Sequence, residues 1–126
     1  MVRRLKDGSL SERDIQKTVM KWVRSFPSFK DIVIHYPNEG KRDPRFGHNL
    51  KLMGMRKGVS DIQICRANHG FIGAWIEVKS NKGVVSLEQK IFQKDMEAEG
   101  YFTATTYGYE ETVETIFWYL NGPSTF

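Results

Sequence analysis

Asp61-Ile62-Gln63-Ile64-Cys65-Arg66, then Gly70-Phe71-Ile72-Gly73-Ala74-Trp75-Ile76-Glu77-Val78-Lys79, then Ser86-Leu87-Glu88-Gln89 form the stretch from which the architecture unfolds. The first two segments are rich in β-branched and aromatic residues and are joined by the polar tetrapeptide Ala67-Asn68-His69-Gly70, which predicts an antiparallel hairpin. Ser86 with Gln89 makes a capping-box pattern, so a helix is expected from there to Glu99, ended by Gly100. A Thr-rich and aromatic strand follows from Tyr101 to Tyr107. A helix between two strands permits a parallel crossover, so the sheet is expected to be mixed.

Working outward, either Ser9 with Glu12 or Ser11 with Asp14 can open an N-terminal helix running to about Phe26. Its apolar stripe is Ile15, Val19, Trp22, Val23 and Phe26, at helical spacing, and Pro27 stops it. Ile32 to Tyr36 reads as a short strand closed by Pro37. Residues 38 to 58 form a long basic connection with a short helical piece near Phe46 to Met53. A last helix carries Val113, Ile116, Phe117 and Leu120 on one face. The expected fold is α/β, a central mixed β-sheet flanked by helices on both sides.

The 126 residues, 40% hydrophobic, suit one domain over 1–126. The longest apolar run, Phe71 to Ile76, is far below the roughly 20 residues that span a bilayer, and no apolar segment follows the Arg-rich start as a signal peptide would require. The expectation is a soluble protein of the cytoplasm or nucleoid with no membrane partner. Cys65 is the only cysteine, which excludes an internal disulfide and a thiolate zinc site. Charge is divided unevenly: residues 1–58 carry fourteen Lys or Arg against six Asp or Glu, residues 59–126 five against nine. That asymmetry fits a basic face for a polyanion, although solvated surface charge explains net charge alone.

Side-chain alternation puts Glu77 and Lys79 on one face of their strand, with Trp75, while Ile76 and Val78 point the other way. If Asp61 enters the neighbouring strand, two carboxylates and an ammonium gather in one place. Two carboxylates about 4 Å apart repel by roughly 1 kcal/mol in water and up to about 4 at an effective dielectric near 20, and a divalent cation reverses that sign. Hard oxygen donors of this kind suit Mg²⁺ or Mn²⁺, which can polarise a phosphodiester and lower the pKa of a bound water. Lys79 would orient that water or offset charge on the phosphorane. An isolated Glu-x-Lys is more often an exposed pair, but this one emerges between apolar neighbours, where charges need partners.

Glu12 falls on the stripe side of the first helix and can reach the same place, or can serve a cap through Ser9. Gln89 is open to the same two readings, active-site group or capping partner of Ser86. Asn38, Lys41, Arg42, Arg45, Lys51, Arg56 and Lys57 in the long connection are the candidate DNA contacts, with His48 as a further backbone contact; salt sensitivity and little base preference would follow. Trp22, Phe117, Trp118 and Tyr119 read as core or interface.

Glu12, Tyr36-Pro37-Asn38-Glu39 with Arg42, Gly58-Val59-Ser60-Asp61, Glu77-Val78-Lys79-Ser80, Gly83, Ser86-Leu87-Glu88-Gln89 and Gly100-Tyr101 occur in an order and spacing that resembles the VRR-NUC domain of the PD-(D/E)XK nuclease superfamily. The resemblance covers nearly the whole chain. It implies a restriction-endonuclease-like fold and Mg²⁺-dependent deoxyribonuclease chemistry, with Asp61, Glu77 and Glu12 as metal ligands and Lys79 and Gln89 in the active site. One departure is Ser60, where the family usually has Pro; this affects backbone stiffness rather than a ligand. Small stand-alone members resemble phage-type homodimers acting on four-way (Holliday) junctions, which implies branched DNA as partner and a phage-infected cell as one setting. A nuclease for flap, nicked or linear duplex DNA and a noncatalytic DNA-binding module are the competing expectations.

Overall fold

A computed structural model describes residues 10–37 and 44–122. The elements run α1 (Glu12–Arg24), β1 (Val33–His35), α2 (Pro44–Leu52), β2 (Ile62–Ile64), β3 (Ala74–Lys79), α3 (Leu87–Ala98), β4 (Phe102–Tyr107) and α4 (Gly108–Asn121). The strands form one sheet in the order β1-β2-β3-β4. The first three are antiparallel, and β4 joins β3 in parallel through the α3 crossover. This is the expected mixed sheet with helices on both faces.

The observed strands are shorter than the apolar runs, since the β2–β3 ladder ends at Ile64 and Ala74 and only the isolated bridge between Asn68 and Phe71 lies beyond it. Asn68 and Phe71 exchange both backbone hydrogen bonds, and the turn residues His69 and Gly70 have φ of +52° and +83°. Positive φ at both central positions is the hairpin geometry whose twist matches the flanking strands. Asn68 is also turned inward, where its Nδ2 donates to the Tyr119 carbonyl at 2.7 Å. The β2–β3 turn therefore closes over the C-terminal end of α4 and satisfies a carbonyl that the helix leaves unpaired.

One face of the sheet supplies Val33, Ile62, Ile64, Ala74, Ile76 and Val78 to the main core, which α1 completes with Ile15, Val19 and Val23, and α4 with Ile116, Tyr119 and Leu120. In α1 the N-cap is Ser11, whose Oγ accepts from the Asp14 N–H; Ser9 lies outside the described residues. In α4 the buried side differs from the expected stripe. Phe117 is exposed, and the buried aromatic is Tyr119, whose hydroxyl donates to the Arg66 carbonyl at 2.7 Å. A tyrosine can be wholly internal when its hydroxyl finds an acceptor. Trp118 remains half exposed, stacked on His69.

The opposite face carries Trp75, Glu77 and Lys79 under α3. All six residues of β3 are buried, apolar on one side and partly charged on the other. Trp75 meets Phe92 of α3 edge-on at 5.0 Å between ring centroids, which fixes the helix over the strand. Among the described residues, no helix is long and apolar enough to cross a membrane.

Candidate active site

Asp61 is positioned from both sides of the sheet. Its carbonyl accepts the Tyr36 N–H at 2.7 Å, and its Oδ2 accepts the Val78 N–H at 2.8 Å. The approach to it depends on Gly58, which has φ of +83° and lies against the first turn of α3. A β-carbon there would sit 2.5 Å from the carbonyl carbon and oxygen of Glu88. Only glycine meets both demands, so this glycine brings the segment before Asp61 into contact with the helix that bears Gln89.

Glu77 is 1% exposed and its two oxygens have different surroundings. Oε2 accepts from Gln89 Nε2 at 3.0 Å and lies 3.6 Å from Lys79 Nζ. Oε1 is buried and receives no N–H donor. The two readings of Gln89 prove compatible, because the amide has two ends. Its Oε1 accepts the Ser86 N–H at 2.8 Å, completing a capping box, while its Nε2 holds Glu77. The N-terminus of α3 is thereby tied directly to the carboxylate on β3.

Lys79 Nζ lies 4.0 Å from Glu12 Oε1, on the first residue of α1. Gly83 makes this approach possible, since a β-carbon there would come within 2.7 Å of Glu12 Oε2 and 3.0 Å of Lys79 Cδ. Glu12 thus reaches the site by way of Lys79. Among the described residues, no group of three or more His, Cys, Asp or Glu side chains gathers into a metal-holding cluster.

Burial is the main cause of the electrostatic state of both acids. It pushes Glu77 up from an ordinary 4.5 to about 9, helped by the negative charge of Asp61 and opposed by Lys79. Burial likewise raises Asp61, against the Glu77 contact, the Val78 N–H and the charges of Lys79 and His35. Two buried carboxyls in contact with each other have one ammonium beside them, and Oε1 of Glu77 receives no N–H donor. Those are hard oxygen donors in a place short of positive charge, which is what a small divalent cation takes.

The DNA-contact candidates divide. Asn38, Lys41 and Arg42 lie outside the described residues, and Arg45 is placed only by its backbone on α2. Lys51, Lys57 and His48 are exposed. Arg56 is held within the chain: it pairs with Asp95 on α3 at 2.6 Å and lies 5.2 Å over the Phe92 ring. Strand alternation places Trp75 beside Glu77, and Ser60 stands where the resembled motif has Pro, but the sequence gives no sign that the polar atoms of both are left unbonded. The Ser60 hydroxyl and the Trp75 indole N–H are both without a partner.

Fold and site together define an α/β domain, a mixed sheet between helices, with two buried carboxyls and a lysine where β2 begins and β3 ends. The chain superimposes on a solved structure described as a VRR_NUC domain protein with a TM-score of 0.78, at 24% sequence identity, over 92% of this chain and 93% of the other. No family profile matches the sequence, and no curated protein does. The two chains therefore share one fold over nearly their whole lengths.

Proposed function

We propose that this chain is a metal-dependent, structure-selective DNA endonuclease that hydrolyses phosphodiester bonds and resolves four-way junctions as a homodimer. One observation carries the chemistry: the buried carboxyls of Asp61 and Glu77 meet each other and converge with Lys79. Asp61 and Glu77 would hold Mg²⁺, or Mn²⁺ in its place, with Glu12 beside them. When bound, such an ion polarises the scissile phosphate and lowers the pKa of an attacking water.

The chain's own groups do the positioning. Gln89 fixes the rotamer of Glu77, and the Val78 N–H fixes that of Asp61, so the donors are set before substrate arrives. Lys79, restrained between Glu77 and Glu12, presents its ammonium to the attacking water or to the charge growing on phosphorus. Trp75 and Phe92 form an apolar floor that keeps the local dielectric low and strengthens both effects. The junction and dimer parts rest on the resemblance to the VRR-NUC domain, and on symmetry, since paired cuts need two sites related by a two-fold axis. The proposal places the enzyme with DNA in the cytoplasm or nucleoid, including that of a phage-infected cell.

The test is cleavage of an end-labelled four-way junction, a flap and a linear duplex of matched sequence, with Mg²⁺, Mn²⁺ or chelator. Paired, metal-dependent cuts in the junction are expected, and Lys79→Ala should lose roughly a hundredfold or more in rate while still binding. Cutting confined to flap or linear duplex would keep the chemistry and replace the substrate. No metal-dependent cutting of any substrate would leave a DNA-binding role.

A further inference from the structure

We infer that Leu52 and Met53, at the end of α2, form an apolar wedge that enters the base stack where a DNA branch leaves bases imperfectly paired. The inference rests on the reading of the chain as a DNA endonuclease and names what would recognise branching in it. Leu52 is 73% exposed and Met53 81%, adjacent on the chain at the tip of a helix. Two neighbouring apolar side chains so fully in water have no role in the core.

The surroundings identify the occupant. Between residues 44 and 58 there are four Lys or Arg and no Asp or Glu. Lys51 precedes the pair and Lys57 follows it, both exposed. Val84 and Leu87, beside α3, are as exposed, but their neighbours Lys82, Glu88 and Lys90 carry both signs. Among the described residues, the Leu52–Met53 tip has an exposed lysine on each side in Lys51 and Lys57, while the acids near its loop, Asp95 and Glu88, belong to α3, and Asp95 is taken up by Arg56. Phosphates satisfy the lysines and base faces satisfy the apolar tip, a combination that nucleic acid offers and a protein surface rarely does.

The tip is also indexed to the acids. Arg56 lies against α3, pairing with Asp95 and resting over Phe92, and Gly58 packs closely on the same helix at Glu88. Met53 and Asp61 are eight positions apart, so their backbones stand at most about 29 Å from each other, under one turn of duplex. A wedge at that distance sets where a strand is cut relative to the branch point. Side chains of this type, Leu and Met among them, unstack base steps in other DNA complexes, and the cost of unstacking is least where pairing is already broken.

The experiment places a fluorescent adenine analogue at the branch point of a four-way junction and, separately, in a linear duplex of the same sequence. Binding of the wild type and of the double variant Leu52→Ala/Met53→Ala is followed in chelator, so that no cleavage is needed. Wild type should raise the junction signal and leave the duplex signal flat. The double variant should lose that rise, bind the junction roughly tenfold more weakly, and keep the wild-type dependence on salt. Circular dichroism establishes that the variant is folded, as expected for two surface residues. A rise that persists in the variant, no rise in wild type, or an equal loss of affinity for junction and duplex would each overturn the wedge. Metal-dependent cleavage is scored separately, so the wedge can fail while the endonuclease stands, and the reverse.

Discussion

Glu77 carries the clearest consequence of the site for stability. Its carboxyl titrates near 9 in the fold against an ordinary 4.5, so the native state holds that proton more tightly than the unfolded chain does. The contribution is therefore full below about pH 4.5 and is lost as pH rises through about 9; the raised Asp61 adds with the same sign. In chelator, the melting temperature should fall between about pH 6.5 and pH 9, a window in which ordinary carboxylates no longer titrate. Millimolar Mg²⁺ should restore it most at the alkaline end, because the ion takes the ionised pair. Glu77→Gln should flatten the profile in chelator and abolish the Mg²⁺ response; thermal melts across pH with both proteins decide this, and an unchanged slope in the variant would place the titration elsewhere. Ser60 makes a simpler case. Its fully buried hydroxyl has no partner. Ser60→Ala removes a desolvated group that bonds nothing, and urea titration should show a gain of about 1 kcal/mol.

Between elements, the contact of Gly58 with α3 couples the segment before Asp61 to the helix that holds Glu77. Gly58→Ala must strain a left-handed backbone and push against main chain at 2.5 Å. A loss of about 2 to 4 kcal/mol in urea titration is expected, together with cleavage lower than the folded fraction explains. A loss within 0.5 kcal/mol would show that α3 shifts freely. The turn on α4 is independent of the site. Asn68→Ala withdraws the donor from the Tyr119 carbonyl and should lower stability by about 1 to 3 kcal/mol in the same assay. These cases also show what a linear sequence reveals. Strand alternation made the shared face of Trp75, Glu77 and Lys79 readable, and the Ser86–Gln89 spacing made the start of α3 readable. Gln89 looked like a choice between cap and site because a sequence has no sign that one amide can serve a backbone N–H with its oxygen and a carboxylate with its nitrogen. Glu12 was ambiguous for another reason: two Ser residues could each begin α1, and only packing selected Ser11. The buried Tyr119 was hidden because its acceptor, the Arg66 carbonyl, lies 53 residues away.

Across the whole molecule, the basic half of the sequence lies before Asp61 and the acidic half from it onward, and ion pairs join the two, Lys79 with Glu12 at the site and Arg56 with Asp95 on the surface. Net charge is plus eight over residues 1–58 and minus four over 59–126. Arg56 and Asp95 bring the two halves together in a pair exposed by about half on each side, where an ion pair contributes only about 0 to 1 kcal/mol. Such a pair is weak enough for DNA to compete with, yet it removes a cation from the free basic surface. Lys51 and Lys57 are exposed and, among the described residues, make no ion pair. The salt dependence of DNA affinity should therefore separate these residues. Lys51→Ala and Lys57→Ala should each reduce the log–log slope by about 0.9 for a full phosphate contact, and Arg56→Ala by less. Asp95→Asn releases the guanidinium and should steepen the slope. Binding isotherms from low to physiological salt measure all four. If Arg56→Ala lowers the slope as much as either lysine while Asp95→Asn leaves it unchanged, the Arg56–Asp95 pair opens on DNA and the loop is not fastened to α3 in the complex.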